Sequence, residues 1–425
     1  MIKNTVLNVV VDGLCTGCGT CVSFCPVNAL KMVLNTDKGI FVPALDEDKC
    51  NKCSVCYKIC PGHEVDFNSL NQEIFGRIPE DPYLGNYTKC YTGYSTNEKI
   101  RFNSSSGGLI TQFLIFALEE GLIDGALVTR MNTKNPLLPE PFIARTPNEI
   151  IEASKSKYCP VPANIALKEI LNAPESEKFA VVGLPCHIQA IRKTENQNPP
   201  LKNKIKIHIG IVCNHSPTFH ATEFLLNRMA LDKKQIKKLS YRGEGWPGGM
   251  RIEGNDFISE FVSQFSIKYW GMLFNSFFFP YRCTVCTDKS CKLADISFAD
   301  AWTPELIKKD STGTSMVIIR NDLENFFDAV AEKNGMVLDP IPKETAMESQ
   351  QFQEVKKKVT ARIRIMRFLR RSTPNYIEEK INPEISDYPS AISFYFKNSL
   401  SNSWFLVNGY VTLYGWAFKL KSKIF

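Results

Sequence analysis

Three short β-rich runs read as strands, the second and third hardly alternating between apolar and polar residues: GALVTR at 125–130, KFAVVGL at 178–184 and IKIHIGIVC at 205–213. The last two read as covered on both faces. Elsewhere the apolar period lengthens to that of a helix. Ser104–Gly121 opens on Ser and Gly, carries Ile110, Phe113, Leu114 and Ala117 on one face and meets Gly121, which predicts a helix over that span. KFAVVGLPCHIQAIRK reads as a strand, a tight turn and a helix. Further strands are expected at Gly249–Glu253, ISFA (296–299) and Ser315–Arg320, with helices at Thr218–Arg228 and Leu323–Lys333. Hairpin-like and crossover-like connections are mixed, so the pattern predicts an α+β fold on a mixed sheet rather than a doubly wound one.

The N-terminal texture is different. CTGCGTCVSFCP from Cys15 to Pro26 and CNKCSVCYKICP from Cys50 to Pro61 share one cysteine spacing, C-x2-C-x2-C-x3-C-P, which resembles the bacterial ferredoxin run. In that run three close thiolates wrap three corners of one cube and the fourth, before Pro, reaches the other cube. The spacing therefore assigns Cys15, Cys18, Cys21 and Cys60 to one [4Fe–4S] cluster, and Cys50, Cys53, Cys56 and Cys25 to a second. Paired CxxC is also the language of zinc, but zinc wants four ligands per ion from two halves, which fits two runs of four poorly. The chain divides into a two-cluster ferredoxin-like module over residues 1–67, a polar linker over 68–83, a larger domain over 84–350 and a helical extension over 351–425.

Composition bounds the setting. A 425-residue chain with 44% hydrophobic residues can bury cores for two or three domains. Its first residues lack an apolar signal core, so 15 cysteines read as thiolates in a reducing compartment, and the cytoplasm is the expected address. Glu354–Arg371 holds three lysines and five arginines against one glutamate, as much positive excess as the whole chain's formal +7. Charge confined to one segment speaks for a local partner surface; no nucleic-acid partner is expected.

Beyond the module, Cys90, Cys159, Cys186, Cys213, Cys283, Cys286 and Cys291 are scattered. Most free cysteines are small buried hydrophobes. Cys186 follows a strand in a GLPC turn, however, Cys213 ends a strand, and Cys283 with Cys286 forms a CxxC. Together they supply the four thiolates of a third cube. RFNSSSGGLITQF, SKYCPVP, VVGLPCHIQAIRK, YRGEGWPGGM and RCTVCTDKSCKLADISFADAW occur in the order found in the beta subunits of coenzyme F420 hydrogenases and dehydrogenases, and the resemblance spans about Leu84–Asn321. It implies an FAD, a [4Fe–4S] cluster near it, and hydride exchange with coenzyme F420 or another small two-electron carrier. A deazaflavin exchanges hydride, clusters carry single electrons, and a flavin converts between them. The other party is then a redox protein partner or a ferredoxin. Two further readings stay open: an electron-relay subunit of a larger complex, and a ferredoxin-linked reductase of another conjugated substrate.

The resemblance places Ser105, Ser106, Gly107 and Gly108 near the FAD pyrophosphate, at a helix start where bare N–H groups favour phosphate. It sets Lys157 and Tyr158 beside the flavin and Arg242 with Trp246 in a flavin-facing loop, with Lys157 and Arg242 as the candidate catalytic pair. Asp295 and Asp300 flank ISFA as ligand-facing groups or caps. His187 and His215 stand next to candidate cluster ligands, where a satisfied core histidine is the commoner outcome. In the extension, Val355, Val359, Ile363, Met366 and Leu369 recur at helical spacing among basic residues. A helix lying on the large domain is the simplest reading. The alternative is docking to an acidic partner or to the inner face of the membrane, with Trp404–Phe418 and the lysines Lys419, Lys421 and Lys423 beyond it too short a stretch to span.

Overall fold

The computed structural model describes residues 4–255, 260–264, 266, 277–321, 323–333 and 335–421; Lys423 lies outside them. In the N-terminal module a hairpin of β1 (Leu30–Asn35) and β2 (Ile40–Leu45) backs two four-residue helices, Thr20–Ser23 and Val55–Lys58. The two cysteine runs share one backbone path. Gly17 and Gly19 have φ of +69° and +89°, and their counterparts Lys52 and Ser54 repeat the left-handed turn at +60° and +61°. Only the first run needs glycine for space as well: a Cβ on Gly19 would stand 2.6 Å from the Ile165 side chain. That absent side chain lets the module close onto the large domain.

β3 (Glu64–Asp66) leads out of the module. Residues 68–83, expected to be a linker, instead begin inside a helix, Phe67–Phe75, because Asp66 caps the amide of Ser69, Phe67 and Leu70 are buried, and Gly76 ends it in the left-handed region.

The large domain is built on an eight-stranded sheet of β4 (Lys89–Ser95), β5 (Gly125–Met131), β6 (Pro139–Ala144), β7 (Phe179–Gly183), β8 (Ile205–Ile211), β12 (Ile296–Asp300), β13 (Ser315–Ile319) and β14 (Met336–Ile341). Its spatial order is β14-β4-β13-β12-β8-β7-β5-β6. The central four, β12-β8-β7-β5, run parallel and the flanking strands antiparallel, so the sheet is mixed as the pattern predicts. β9 (Ile236–Ser240), β10 (Gly249–Gly254) and β11 (Glu260–Ser263) form a separate antiparallel sheet. On one face of the main sheet Phe113 stacks on Phe327 at 4.9 Å; on the other, Leu167, Ile188 and Ile191 pack against Val181. The helix expected over Ser104–Gly121 is two helices, Glu98–Asn103 and Leu109–Glu119, since Ser104 is extended and Gly108 is left-handed.

The extension is tied to the body. Val359, Ile363 and Met366 of the helix Phe352–Phe368 bury against Val285, and β15 (Asn375–Ile377) pairs in parallel with β3. Two basic residues of the segment turn inward: Lys356 pairs with Glu378 at 2.9 Å, and Arg362 donates to the Thr284 carbonyl at 2.8 Å. Its outer surface is mixed, with Phe368, Ile385, Phe396 and Phe405 exposed beside Arg364, Arg367, Arg370 and Arg371. Among the described residues no helix is long and apolar enough to cross a membrane.

Candidate functional site

Cys15, Cys18, Cys21 and Cys60 line one cavity of the module, with Val6, Met32 and Pro43 as its apolar wall. Burial, and then the neighbouring thiols, push the Cys15 and Cys21 thiols up; burial with Cys18 pushes Cys60 up to about 11. Closely set thiols, three of them buried and Cys15 partly so, suit a cationic metal core, which deprotonates its ligands outright. Backbone amides face the sulfurs: Gly17 N–H donates to Cys15 Sγ at 3.4 Å, Gly62 N–H to Cys60 Sγ at 3.3 Å and Ala29 N–H to Cys25 Sγ at 3.2 Å. Such contacts stabilise cluster thiolates. Cys56 is raised by burial and by Cys53, Cys25 and Cys50, so Cys25 crosses over to the second run. Among the described residues no three His, Cys, Asp or Glu side chains converge as ligands of a single ion do. A cubane spreads its thiolates one to each iron, and the shared cavity of Cys15, Cys18, Cys21 and Cys60 suits such a spread.

The third set stands at the carboxyl edge of the parallel strands, where open α/β sheets bind their ligands. The chain leaves β7 through Leu184 into the helix Pro185–Glu195, whose second residue is Cys186, leaves β8 towards Cys213, and returns through Tyr281–Thr284 with Cys283 and, just beyond, Cys286. Burial drives Cys186 far up, and its interacting thiols are Cys18, Cys283, Cys213 and Cys286. Cys186 thus looks both into its own set and across to the module. Cys291 sits in the apolar core with Leu293 and Ala294, behind β8, where a Cβ on Gly210 would meet its sulfur at 2.6 Å. Cys90 and Cys159 are also core residues.

Asn164 joins the two thiolate sets. Its backbone N–H donates to the Cys18 carbonyl at 2.9 Å, and its side-chain amide donates to Thr20 Oγ1 at 2.8 Å and to the His187 carbonyl at 3.0 Å. His187 is a core residue: its ring nitrogens meet the Leu184 amide and the Val161 carbonyl, and burial brings it down to about 4. His215 is stacked between Phe279 at 4.6 Å and Phe394 at 5.1 Å. No motif marks Asn164, because a lone asparagine carries no spacing signal.

A second group lies on the same sheet edge, around the last residue of β12. Asp300 accepts from the Arg242 guanidinium at 3.0 Å and from the Trp246 indole at 2.8 Å. Arg242 is 1% exposed and also donates to the Tyr158 hydroxyl at 3.1 Å and to the Ser105 carbonyl. Burial opposes its charge, but Asp300 and Tyr158 outweigh burial and hold the guanidinium ionised. Its Nε, fully buried, has no partner among the described residues. The Trp246 ring lies 4.6 Å from Trp302. Ser106 donates to the Thr314 carbonyl at 2.8 Å, and Gly107 N–H donates to Ser315 Oγ at 3.0 Å. A Cβ on Gly107 would stand 2.5 Å from the Gly93 carbonyl, so this glycine serves close packing on β4. Gly108 opens the helix Leu109–Glu119, and no side chain caps that helix's first turn. The bare amides of that turn, the orphaned Arg242 Nε and the Trp246 ring suit a group with phosphates and a flat ring system.

Lys157 is placed differently from its expected catalytic position. Its ammonium donates to the carbonyls of Ala153, Ser154 and Lys155 at 2.5, 2.7 and 2.8 Å, and burial lowers it to about 7. With all three donors engaged by its own loop, it locks residues 153–157.

Comparison with known proteins gives this arrangement a family. Residues 90–168 match the N-terminal model, and residues 176–344 the C-terminal model, of the coenzyme F420 hydrogenase/dehydrogenase beta subunit; residues 14–63 match a 4Fe-4S dicluster domain. The chain belongs to the family of coenzyme F420 hydrogenase/dehydrogenase beta subunits. Within this family of beta subunits it is 29% identical over 262 residues to the coenzyme F420 hydrogenase subunit beta of Methanosarcina barkeri, covering 60% of this chain and 83% of that one. It is 24% identical over 352 residues to a subunit of the F420H2 dehydrogenase of Methanosarcina mazei, covering 79% and 88%. The coenzyme F420-dependent sulfite reductase of Methanocaldococcus jannaschii is 27% identical over 368 residues, which is 82% of this chain and 51% of that protein. A chain of the F420-reducing [NiFe] hydrogenase complex of Methanosarcina barkeri shares the fold, with a TM-score of 0.55 at 24% identity over 70% of this chain and 98% of that one. Membership in the family carries F420-linked redox electron transfer and iron–sulfur chemistry.

Proposed function

We propose that this chain is an iron–sulfur flavoprotein oxidoreductase that exchanges hydride with reduced coenzyme F420, or an analogous two-electron carrier, and passes single electrons to a redox protein partner. The observation that carries this reading is the position of Cys186. It belongs to a thiolate set on the same sheet edge as the Arg242–Asp300 group, and the foremost of its interacting thiols is Cys18 of the module. A bound FAD would supply the conversion between a hydride pair and single electrons, and bound [4Fe–4S] clusters would supply one-electron transfer.

The chain's own residues divide the remaining work. Ser105–Gly108 would shape the turn that faces a pyrophosphate, and the uncapped first turn of the helix Leu109–Glu119 would offer it amides, the Gly107 N–H being engaged by Ser315. Arg242, held charged by Asp300, presents a fixed positive field to an anionic ring or a reducing equivalent, and Trp246 supplies an aromatic face. Cys186, Cys213, Cys283 and Cys286 would hold the cluster nearest that group. Cys15, Cys18, Cys21 and Cys60 would hold the next. Cys25, Cys50, Cys53 and Cys56 would hold the last, where the exposed Cys53 opens the set to a partner such as ferredoxin. The relatives named as hydrogenase and dehydrogenase subunits support a partner in a complex and keep a pure relay role as the second reading.

Anaerobic purification and reconstitution test the proposal. The protein is expected to release FAD on denaturation, to contain iron and acid-labile sulfide in equal amounts, and to have its flavin and cluster absorbance bleached by reduced coenzyme F420. Clusters without flavin would favour the relay reading; zinc without sulfide would overturn both.

A further inference from the structure

Arg282 is one of the largest fully buried side chains in the protein, 1% exposed, and its place in the chain is immediately before Cys283 of the third thiolate set. Its guanidinium reaches away from that set. Nε donates to the Gly62 carbonyl and Nη2 to the Pro61 carbonyl, both at 3.1 Å, directly after Cys60 of the module's first set. Tyr376 of β15 lies under it at 5.4 Å. No carboxylate among the described residues pairs with it. Arg192, Arg242 and Lys292, also buried, each have one, whereas Arg320 and Arg362 are held by hydroxyl and carbonyl oxygens.

An arginine cannot shed its proton, and a buried charge without a counter-charge costs several kcal/mol. The groups that favour its charge are the Tyr376 phenol, then the thiols of Cys286, Cys186 and Cys283, while Cys15 and Cys60 feel it from the other side. Burial keeps the phenol protonated, so the anions that cluster binding would create there are thiolates. We infer that Arg282 is a positioning residue that serves as the shared counter-charge of the third and first clusters, joining them electrostatically and raising the reduction potentials of both. The inference rests on the cluster assignment under Proposed function. Its physical content is simple. A one-electron reduction adds negative charge to a cluster, and a fixed cation between two clusters favours that charge on either. The module's second set, with Cys53 at the surface, lies outside this arrangement and is the internal control.

The test uses the full chain, reconstituted anaerobically, with redox titration of the three clusters followed by electron paramagnetic resonance. Iron and sulfide content of the wild type is read first, and a chain that takes up neither overturns the underlying assignment. With clusters present, Arg282→Gln is expected to move two of the three midpoints to more negative values and leave the third in place. Arg282→Lys, which keeps the charge, is expected to hold all three near their wild-type values. Three unmoved midpoints in Arg282→Gln would overturn the inference, as would a uniform shift of all three. Should the glutamine variant fail to fold, Arg282→Lys decides: two lowered midpoints there would show that the charge is not the agent.

Discussion

Asp300 holds Arg242 at 3.0 Å at the carboxyl end of β12, and the same carboxylate oxygen accepts the Trp246 indole N–H at 2.8 Å. One acidic side chain therefore orients both a buried cation and an aromatic ring. Asp300→Asn keeps the shape and removes the charge. Hydrogen bonds to charged groups contribute about 1.5–3 kcal/mol, so flavin affinity is expected to fall roughly tenfold or more. Titration of deflavinated protein with FAD measures it, with iron content unchanged. An unaltered dissociation constant would remove Asp300 from the site.

The two kinds of cluster set separate cleanly by substitution. Cys186→Ser is expected to lose roughly four irons with matching sulfide, one cubane's worth, while the module keeps its own. Cys53→Ser is expected to weaken only the module's outer cluster. Parallel iron, sulfide and paramagnetic resonance measurements check both, and a Cys186→Ser protein with full iron content would reassign the third set. Cys291→Ser then becomes the decisive comparison, and from its core position it is expected to keep every cluster.

Much of this was legible in the sequence because its signals are local. Cysteine spacing pairs Cys25 with the second run and Cys60 with the first, and unbroken apolar runs at β7 and β8 place Cys186 and Cys213 at strand ends. The residues that unite these pieces carry no such signal. Asn164, Arg282 and Glu378 each act through contacts far along the chain, at positions where no period or motif distinguishes them. Lys157 misled for the opposite reason: its local company suggested a ligand, but its ammonium is folded back onto its own loop. Residues 68–83 look polar because the helix Phe67–Phe75 buries only Phe67, Leu70 and Asn71 fully and turns Ser69, Gln72 and Glu73 to water.

Asn164 should report on docking of the module. Asn164→Leu fills similar volume but leaves Thr20 Oγ1 and the His187 carbonyl without their donor, at a cost of about 1–3 kcal/mol. Chemical denaturation of the reconstituted protein is expected to show that loss, and electron passage from flavin to the module's clusters should slow. A variant as stable as the wild type would mean that water satisfies both groups.

Glu378 offers the clearest dependence on pH. It lies between Lys292 and Lys356, which hold β15 and the helix Phe352–Phe368 to the body. Burial disfavours its ionised form, but the two ammoniums prevail and bring its carboxyl down to about 2, from an ordinary 4.5. A depressed folded value means that the unfolded chain binds more protons. The stabilisation is therefore complete above about 4.5 and lost as pH falls through about 2. Glu378→Gln removes this acid step and leaves two buried cations facing each other, which should cost about 3–5 kcal/mol at neutral pH. Lys356, already lowered to about 8 chiefly by burial and by Lys292, would then fall further. Because the unfolded lysine keeps its proton longer, the variant is expected to regain stability as pH rises through that range. Urea denaturation from pH 3 to 9 measures both slopes, and identical profiles for the two proteins would show that the Glu378 contacts contribute nothing.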